Sequence, residues 1–278
     1  MDKTSGPKEK SGLIRTTLLF KFVLVSTLLF IADNVQSQDK RSSAGVDPYY
    51  TEWKAILDRH ATLDGSRSIV DYGAIKKDPA ALTAYLGKVS AVTEAEFRKW
   101  PEEKRLAFLM NVYNAYTFKL ILDYYPVKSI KDIGGLFKKP WGIEFVPLLR
   151  KNVSLDHIEH KVIRKEYSDP RIHAALVCAA KSCPPVKAYS ALDLSNQLQE
   201  NTELFVRDIK RNRYEPSDKT LYLSSIFKWY GDDFKPKYGS VKSFIAPVIA
   251  KSPDEKTQIL KNETKLEFLD YDWSLNGT

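Results

Sequence analysis

The feature that most constrains this chain is its apolar stretch over residues 102–125. Leu106, Phe108, Leu109, Met110, Val112, Tyr113, Tyr116, Phe118, Leu120, Ile121 and Leu122 cover nearly the whole circumference of a helix. A helix that is apolar all round is buried at the centre of a fold. Asn111, Asn114 and Lys119 interrupt the run and Pro126 closes it, which argues against a membrane span. Asn111 and Asn114 stand three residues apart and share a face. An unpaired buried amide costs about 1–3 kcal/mol, so the two either tie down a neighbouring loop or line a polar site.

The segments around this helix give the rest of the architecture. A first helix is predicted over 49–58. Asp71-Tyr72-Gly73 opens a connector, and Asp78 as N-cap with Pro79 at the first helical position starts a helix carrying Leu82, Tyr85, Leu86 and Val89. Ser154 suits the cap of a helix reaching 166. Residues 172–179 are short, apolar and bounded by Pro184-Pro185, as in a buried strand. Leu192, Leu194, Leu198 and Phe205 suggest another helix, and 220–223 a strand. Ser224 then caps a short turn whose Phe227, Trp229 and Tyr230 read as core. A last strand over 265–271 closes the sheet, with Trp273 packed beneath it. The expected fold is α+β: a helix-rich single domain with a small, mainly antiparallel sheet around the buried central helix.

The amino-terminal residues differ from the remainder. Lys3, Lys8, Lys10, Arg15 and Lys21 precede an apolar run from Phe22 to Ala32, followed by Val35 and Ser37 in the small-x-small spacing of a signal-peptidase site. At 1.5 Å per residue that run falls short of the roughly 30 Å hydrocarbon core. It reads as a signal peptide over 1–37, with a polar leader over 38–48 and one domain over 49–278. The expected location is periplasmic or secreted, with no stable membrane span after cleavage.

The 278 residues carry 43 Lys and Arg against 35 Asp and Glu. The excess is dispersed, without the basic and aromatic interleaving of a nucleic-acid module, so no nucleic-acid partner is expected. Two cysteines and four histidines are poor material for a metal cluster, and no metal or other cofactor is expected.

Chemistry concentrates between 154 and 185. On the predicted helix after Ser154, Leu155, Ile158, Val162 and Ile163 form one stripe and Glu159 falls inside it, so its carboxylate is expected to be buried and paired. The nearest cations in sequence are Arg171 and a protonated His173, and an amide of Asn111 or Asn114 is the other expected partner. Strand alternation puts His173 and Cys178 on opposite faces, and Cys183 lies in the turn beyond, where its side chain reaches a cleft.

These blocks resemble one family. Asn111-Val-Tyr-Asn114-Ala, Ser154-Leu-Asp-His-Ile-Glu159-His160 with Arg164, Asp169-Pro-Arg171-Ile-His173-Ala-Ala-Leu-Val-Cys178 and Ser182-Cys183-Pro-Pro are similar to the motifs of domain of unknown function 547 (DUF547). Leu223-Ser-Ser-Ile-Phe-Lys-Trp-Tyr230 with Asp233-Phe234, and Tyr271-Asp-Trp-Ser-Leu-Asn276, look like its closing motifs. The resemblance covers roughly residues 100 to 276 and implies a shared fold and an exported, bacterial-type protein. It implies no settled chemistry.

Two function classes follow. One is a cysteine-dependent hydrolase or acyl transferase, with Cys183 as nucleophile, His173 or His160 as base and Glu159 as orienter. Asn111, Asn114, Arg171 and Ser182 then serve as binding groups for a small-molecule or peptide ligand, Asn111 or Asn114 helping to hold an oxyanion. The other is a non-catalytic envelope module, in which the same polar groups lock the fold and Cys178 and Cys183 form a disulfide.

Overall fold

Helix Glu102–Tyr124 is the element that the rest of the fold surrounds in the computed structural model, which describes residues 47–135 and 139–277. The predicted signal peptide, and the leader before Asp47, lie outside the described residues. Glu102 and Glu103 occupy the first turn, where a carboxylate complements the helix dipole. Met110, Phe118 and Ile121 are wholly buried along it, together with Asn114 and Thr117.

In chain order the elements are α1 (Pro48–His60), the hairpin β1 (Ala61–Asp64) and β2 (Arg67–Val70), α2 (Tyr72–Lys77), α3 (Ala80–Ala91), α4 (Glu94–Phe97) and the central α5 (Glu102–Tyr124). The hairpin β3 (Val146–Leu148) and β4 (Lys151–Val153) follows, then α6 over residues 155–166 and α7 (Leu194–Val206). Strands β5 (Arg213–Glu215) and β6 (Thr220–Ser224) precede α8 (Ile226–Trp229), α9 (Lys235–Tyr238), α10 (Val241–Ile249), α11 (Pro253–Leu260) and β7 (Lys265–Leu269). The three-stranded sheet has the order β5-β6-β7, antiparallel between β5 and β6 and parallel between β6 and β7. With the two antiparallel hairpins, this is the helix-rich α+β arrangement with small sheets.

Helices α1 and α3 pack on α5 through aromatic contacts, Trp53 stacking on Tyr85 at 5.7 Å and meeting Phe118 edge-on at 5.2 Å. A second apolar cluster lies around the three-stranded sheet, built from Phe205, Phe227, Phe234, Phe244 and Ile245. Residues 47–277 form one compact unit.

Several sequence expectations change. Asp71 does not open a connector: its carboxylate accepts from the Ala74 N–H at 2.8 Å and caps α2. Asp78 closes that helix through its own N–H to the Ala74 carbonyl, and α3 therefore starts at Ala80 with Pro79 as its cap. The predicted strand over 172–179 is absent. Asp169 accepts from the Arg171 N–H with Pro170 at the first position, which winds Pro170–Ala174 into a 3₁₀ turn. Beyond it, the Asn114 side chain takes the place of a neighbouring strand, donating to the Ala175 carbonyl at 2.9 Å and accepting from the Val177 N–H at 3.0 Å. Trp273 is not beneath the sheet but packs against Trp141 and Trp229.

The last segment returns to the cysteine loop. Lys181 N–H donates to Ser274 O, Ser182 N–H to Asp272 O and Asn276 N–H to Ala179 O, at 2.8, 3.2 and 2.9 Å. Gly277 lies against the Val70 carbonyl so closely that a Cβ would sit 1.8 Å from its oxygen, so only glycine fits there. This strap sets Tyr271 and Trp273 beside the cysteines.

Candidate functional site

A cleft of about 730 Å³ opens beside α5 and α6, lined on one side by Glu159, His160, His173, Tyr113 and Tyr230, and on the other by Trp141, Trp229, Tyr271 and Trp273, with Cys178 in its wall. Pockets of this size, apolar with a few converging polar groups, are where small ligands bind. Cys183 is 3% exposed and is not among the lining residues.

Ser154 caps α6 as expected, its hydroxyl accepting from the His157 N–H at 3.1 Å. The middle of the helix, His157–Ile163, is π-helical, with the Arg164 N–H bonding the Glu159 carbonyl five residues back. Such wider turns are rare and often mark functional sites. Glu159 is 7% exposed, in keeping with the apolar stripe around it. Its partners differ from those expected. The Tyr230 hydroxyl donates to Oε1 at 2.6 Å and the Tyr113 hydroxyl to Oε2 at 2.9 Å, and burial together with this carboxylate raises both phenol pKa values. His160 Nδ1 lies 3.8 Å from Glu159 and 3.0 Å from Arg164 Nη1. An arginine only donates, so Nδ1 accepts and the ring proton of His160 sits on Nε2, 3.7 Å from Asp156.

The partner of His173 is a residue that sequence reasoning left unassigned. Nε2 of His173 is 2.7 Å from Asp233 Oδ2, and the same carboxylate receives Arg164 through two bonds of 2.7 and 2.8 Å. Bonds from His173 and Arg164 hold the Asp233 carboxyl well below the usual carboxylate range. Burial lowers the His173 pKa despite that carboxylate, so the imidazole is neutral at pH 7. Its single proton is on Nε2, facing Asp233, and Nδ1 is the basic nitrogen. Among the described residues no hydrogen bond engages Nδ1. The ring stacks on Tyr230 with centroids 3.9 Å apart, which couples the dyad to the Glu159 cluster.

Both cysteines are free thiols, with sulfurs 2.7 Å apart. Tyr271 Oη lies 3.2 Å from each. Ala179 between them has φ of 58°, a left-handed conformation that an L-residue seldom adopts. That bend turns the N–H groups of Cys178 and Ala180 onto the Cys183 sulfur at 3.0 and 3.4 Å, forming the kind of concavity of successive N–H groups that holds an anion. Burial opposes charge on Cys183, but the Cys178 thiol, the Tyr271 hydroxyl and these two N–H groups together pull its pKa down to about 7. Burial and the neighbouring sulfur push Cys178 upward. Arg211 holds the loop in place, donating to the Cys183 carbonyl and pairing with Asp208 at 2.6 Å.

Five of the eight residues singled out from the sequence, Cys183 among them, do not line the cleft. Asn111 donates to the Tyr189 carbonyl at 2.8 Å and accepts from its N–H at 2.9 Å, while Asn114 is committed to Ala175 and Val177, so both amides fasten backbone. Arg171 pairs with Asp169 at 2.6 Å and not with Glu159. Ser182 accepts from the Asp272 N–H at 2.9 Å. Asp233 was visible only as part of a motif sixty residues downstream of His173, and Trp229 and Tyr230, read as core aromatics, form cleft wall, Trp229 being 46% exposed. Among the described residues no group of three or more His, Cys, Asp or Glu side chains is placed to hold a metal ion. No described helix is long and apolar enough to cross a membrane.

Comparison with known proteins returns no match among curated proteins and none among solved structures. Residues 97–206 match the family described as "Protein of unknown function, DUF547", a span that holds Asn111, Asn114, Glu159, His160, His173 and both cysteines, and this match supports the family read from the motifs.

Proposed function

We propose that the chain is an exported thiol-dependent hydrolase or acyl transferase, with Cys178 as nucleophile, His173 as general base and Asp233 as the residue that orients the base. The observation carrying this reading is the 2.7 Å bond from His173 to Asp233, with His173 lining a cleft that also contains a free thiol and Asp233 behind the imidazole. A neutral imidazole whose Nε2–H is fixed on a carboxylate presents Nδ1 in one defined orientation. His173 Nδ1 takes the Cys178 proton as the sulfur attacks a carbonyl carbon. The imidazolium then returns that proton to the leaving group. Water or a second nucleophile, activated by the same nitrogen, releases the acyl group. Glu159, which receives two phenols, positions Tyr230 beneath the imidazole. Asn111 and Asn114, engaged by backbone, take no part in holding an oxyanion. Export rests on the basic and apolar pattern of residues 1–37.

The test is to incubate residues 38–278 with activated esters and thioesters and to read intact mass. One acyl group per chain, mapping to Cys178, is expected. It is expected to be lost in Cys178→Ala and to form about 10²–10⁴-fold more slowly in His173→Gln. Acylation unchanged in Cys178→Ala overturns the assignment. A reporter fused to residues 1–37 should leave the cytoplasm, and its retention there removes the export part.

A further inference from the structure

We infer that Cys178 and Cys183 form a second reaction centre, a dithiol that exchanges with low-molecular-weight disulfides, in which Cys178 takes the mixed disulfide and Cys183 resolves it. The two sulfurs have unlike surroundings. Cys178 is half-buried in the cleft wall, whereas Cys183 is 3% exposed behind it and does not face the cleft. A disulfide entering the cleft therefore meets Cys178 first. The resolving position must be in contact with the first sulfur, and Cys183 is, at 2.7 Å. It must also carry thiolate, and the N–H groups of Cys178 and Ala180 with the Tyr271 hydroxyl converge on the Cys183 sulfur.

This arrangement does not depend on C-x-x-C spacing. Four residues lie between the cysteines in sequence, and the left-handed Ala179 folds them so that both sulfurs and both N–H groups meet. The strap through Asn276, bonded to the Ala179 carbonyl at 2.9 Å, keeps that conformation in place.

The exchange balances as two displacements. Cys178 sulfur attacks one sulfur of R–S–S–R, the S–S bond breaks, and the departing RS⁻ takes the proton that Cys178 gives up. Cys183 thiolate, its own proton already in solution, then attacks the Cys178 sulfur. The Cys178–Cys183 bond forms, the second RS⁻ leaves, and it takes a proton from water. The protein loses two electrons and R–S–S–R is reduced to two RSH. Oxidation also removes the thiol proposed above as acyl nucleophile, although the exchange itself requires no acyl chemistry.

Glutathione is the probe. The chain is equilibrated across stepped ratios of oxidised to reduced glutathione, quenched with an alkylating agent and weighed intact. Wild type is expected to lose both alkylatable thiols together, two hydrogens lighter and without retained glutathione. Cys183→Ser should hold one glutathione on Cys178, and in folded Cys178→Ser the remaining thiol should react at least about tenfold more slowly. Tyr271→Phe keeps both cysteines, still forms the mixed disulfide and should resolve it about tenfold more slowly, the effect of one lost bond to a thiolate. Two alkylatable thiols persisting in fully oxidised glutathione, or a stable wild-type adduct on Cys178, overturns the proposal. Retained acylation of Cys178 in Cys183→Ser separates its failure from that of the acyl-transfer reading.

Discussion

Two sets of polar side chains, one buried and one buried to half-buried, flank the same helix and behave differently. On one face of α5, Asn111 and Asn114 each pair both amide atoms with main-chain groups, of Tyr189 in one case and of Ala175 and Val177 in the other. Toward the cleft, Tyr113, Glu159, Tyr230, His173, Asp233 and Arg164 bond one another, and His173 retains a basic nitrogen that no described residue engages. The first set is saturated and holds chain in place. The second carries charge, titrates and borders open volume. Burial of polar groups is therefore no sign of a site by itself; what distinguishes a site is bonding capacity left over after the fold has taken its share.

The comparison breaks first if the amides prove dispensable. Asn114→Ala leaves the Ala175 carbonyl and the Val177 N–H without partners, and at about 1–3 kcal/mol per buried group the loss is about 2–6 kcal/mol. A denaturant melt is expected to show this, and Asn111→Ala should show a comparable loss through Tyr189. Asp233→Asn tests the other set. The amide oxygen still accepts from the His173 ring, so the fold is expected to persist, while turnover falls about 10²–10⁴-fold as the base loses its orienting charge. A melt shift in Asp233→Asn as large as that in Asn114→Ala, with no separate kinetic loss, places Asp233 in the structural set.

The legibility of the two sets in the sequence follows the same division. The central helix was readable because its apolar residues cover every face, and the burial of Glu159 because helical phase is local. The segment over 172–179 reads as strand because a short apolar run carries no period of its own, and the amide that satisfies the backbone just beyond the 3₁₀ turn, Asn114, is on α5, some sixty residues away. For the same reason Asp233 had no local signal: its pairing with His173 arises only when the turn after α8 returns to the 3₁₀ turn. Which cysteine faces the cleft depended on the returning strap that delivers Tyr271, and no spacing between 178 and 183 encodes that.

Acid titration sharpens the comparison at lower amplitude. His173 faces Asp233, Arg164, Glu159 and Tyr230, and its folded pKa is depressed; that of Asp233 is depressed further. For both, the unfolded chain binds protons at a higher pH than the folded one, so their contributions to stability are present above the unfolded values and lost as pH falls. The loss begins as pH drops below about 6.5, where an unfolded histidine takes up its proton, and continues below about 4, the ordinary range of an aspartate. Melting temperature against pH should show both limbs. His173→Gln should flatten the upper limb and Asp233→Asn the lower, whereas Asn114→Ala should lower the whole curve without changing its shape.

The smallest effect is expected at Glu159, and it separates the sets most finely. Among the described residues no cation hydrogen-bonds this carboxylate; two phenols do. Replacing Glu159 by Gln leaves Oε1 as an acceptor for one of them and turns an N–H₂ donor on the other, whose hydroxyl can rotate to accept. The stability cost should be about 1 kcal/mol, the scale of one exchanged hydrogen bond. Glu159→Ala removes both acceptors and leaves two buried hydroxyls, so about 2–4 kcal/mol is expected by the same scale. If Glu159 acts by positioning Tyr230 beneath His173, Glu159→Gln also shifts the pH at which activity falls on the acid side, because the imidazole loses a nearby negative charge that favours its protonation. That limb should move to lower pH. An unchanged pH profile, with the 1 kcal/mol loss intact, assigns Glu159 to the set that only holds the chain in place.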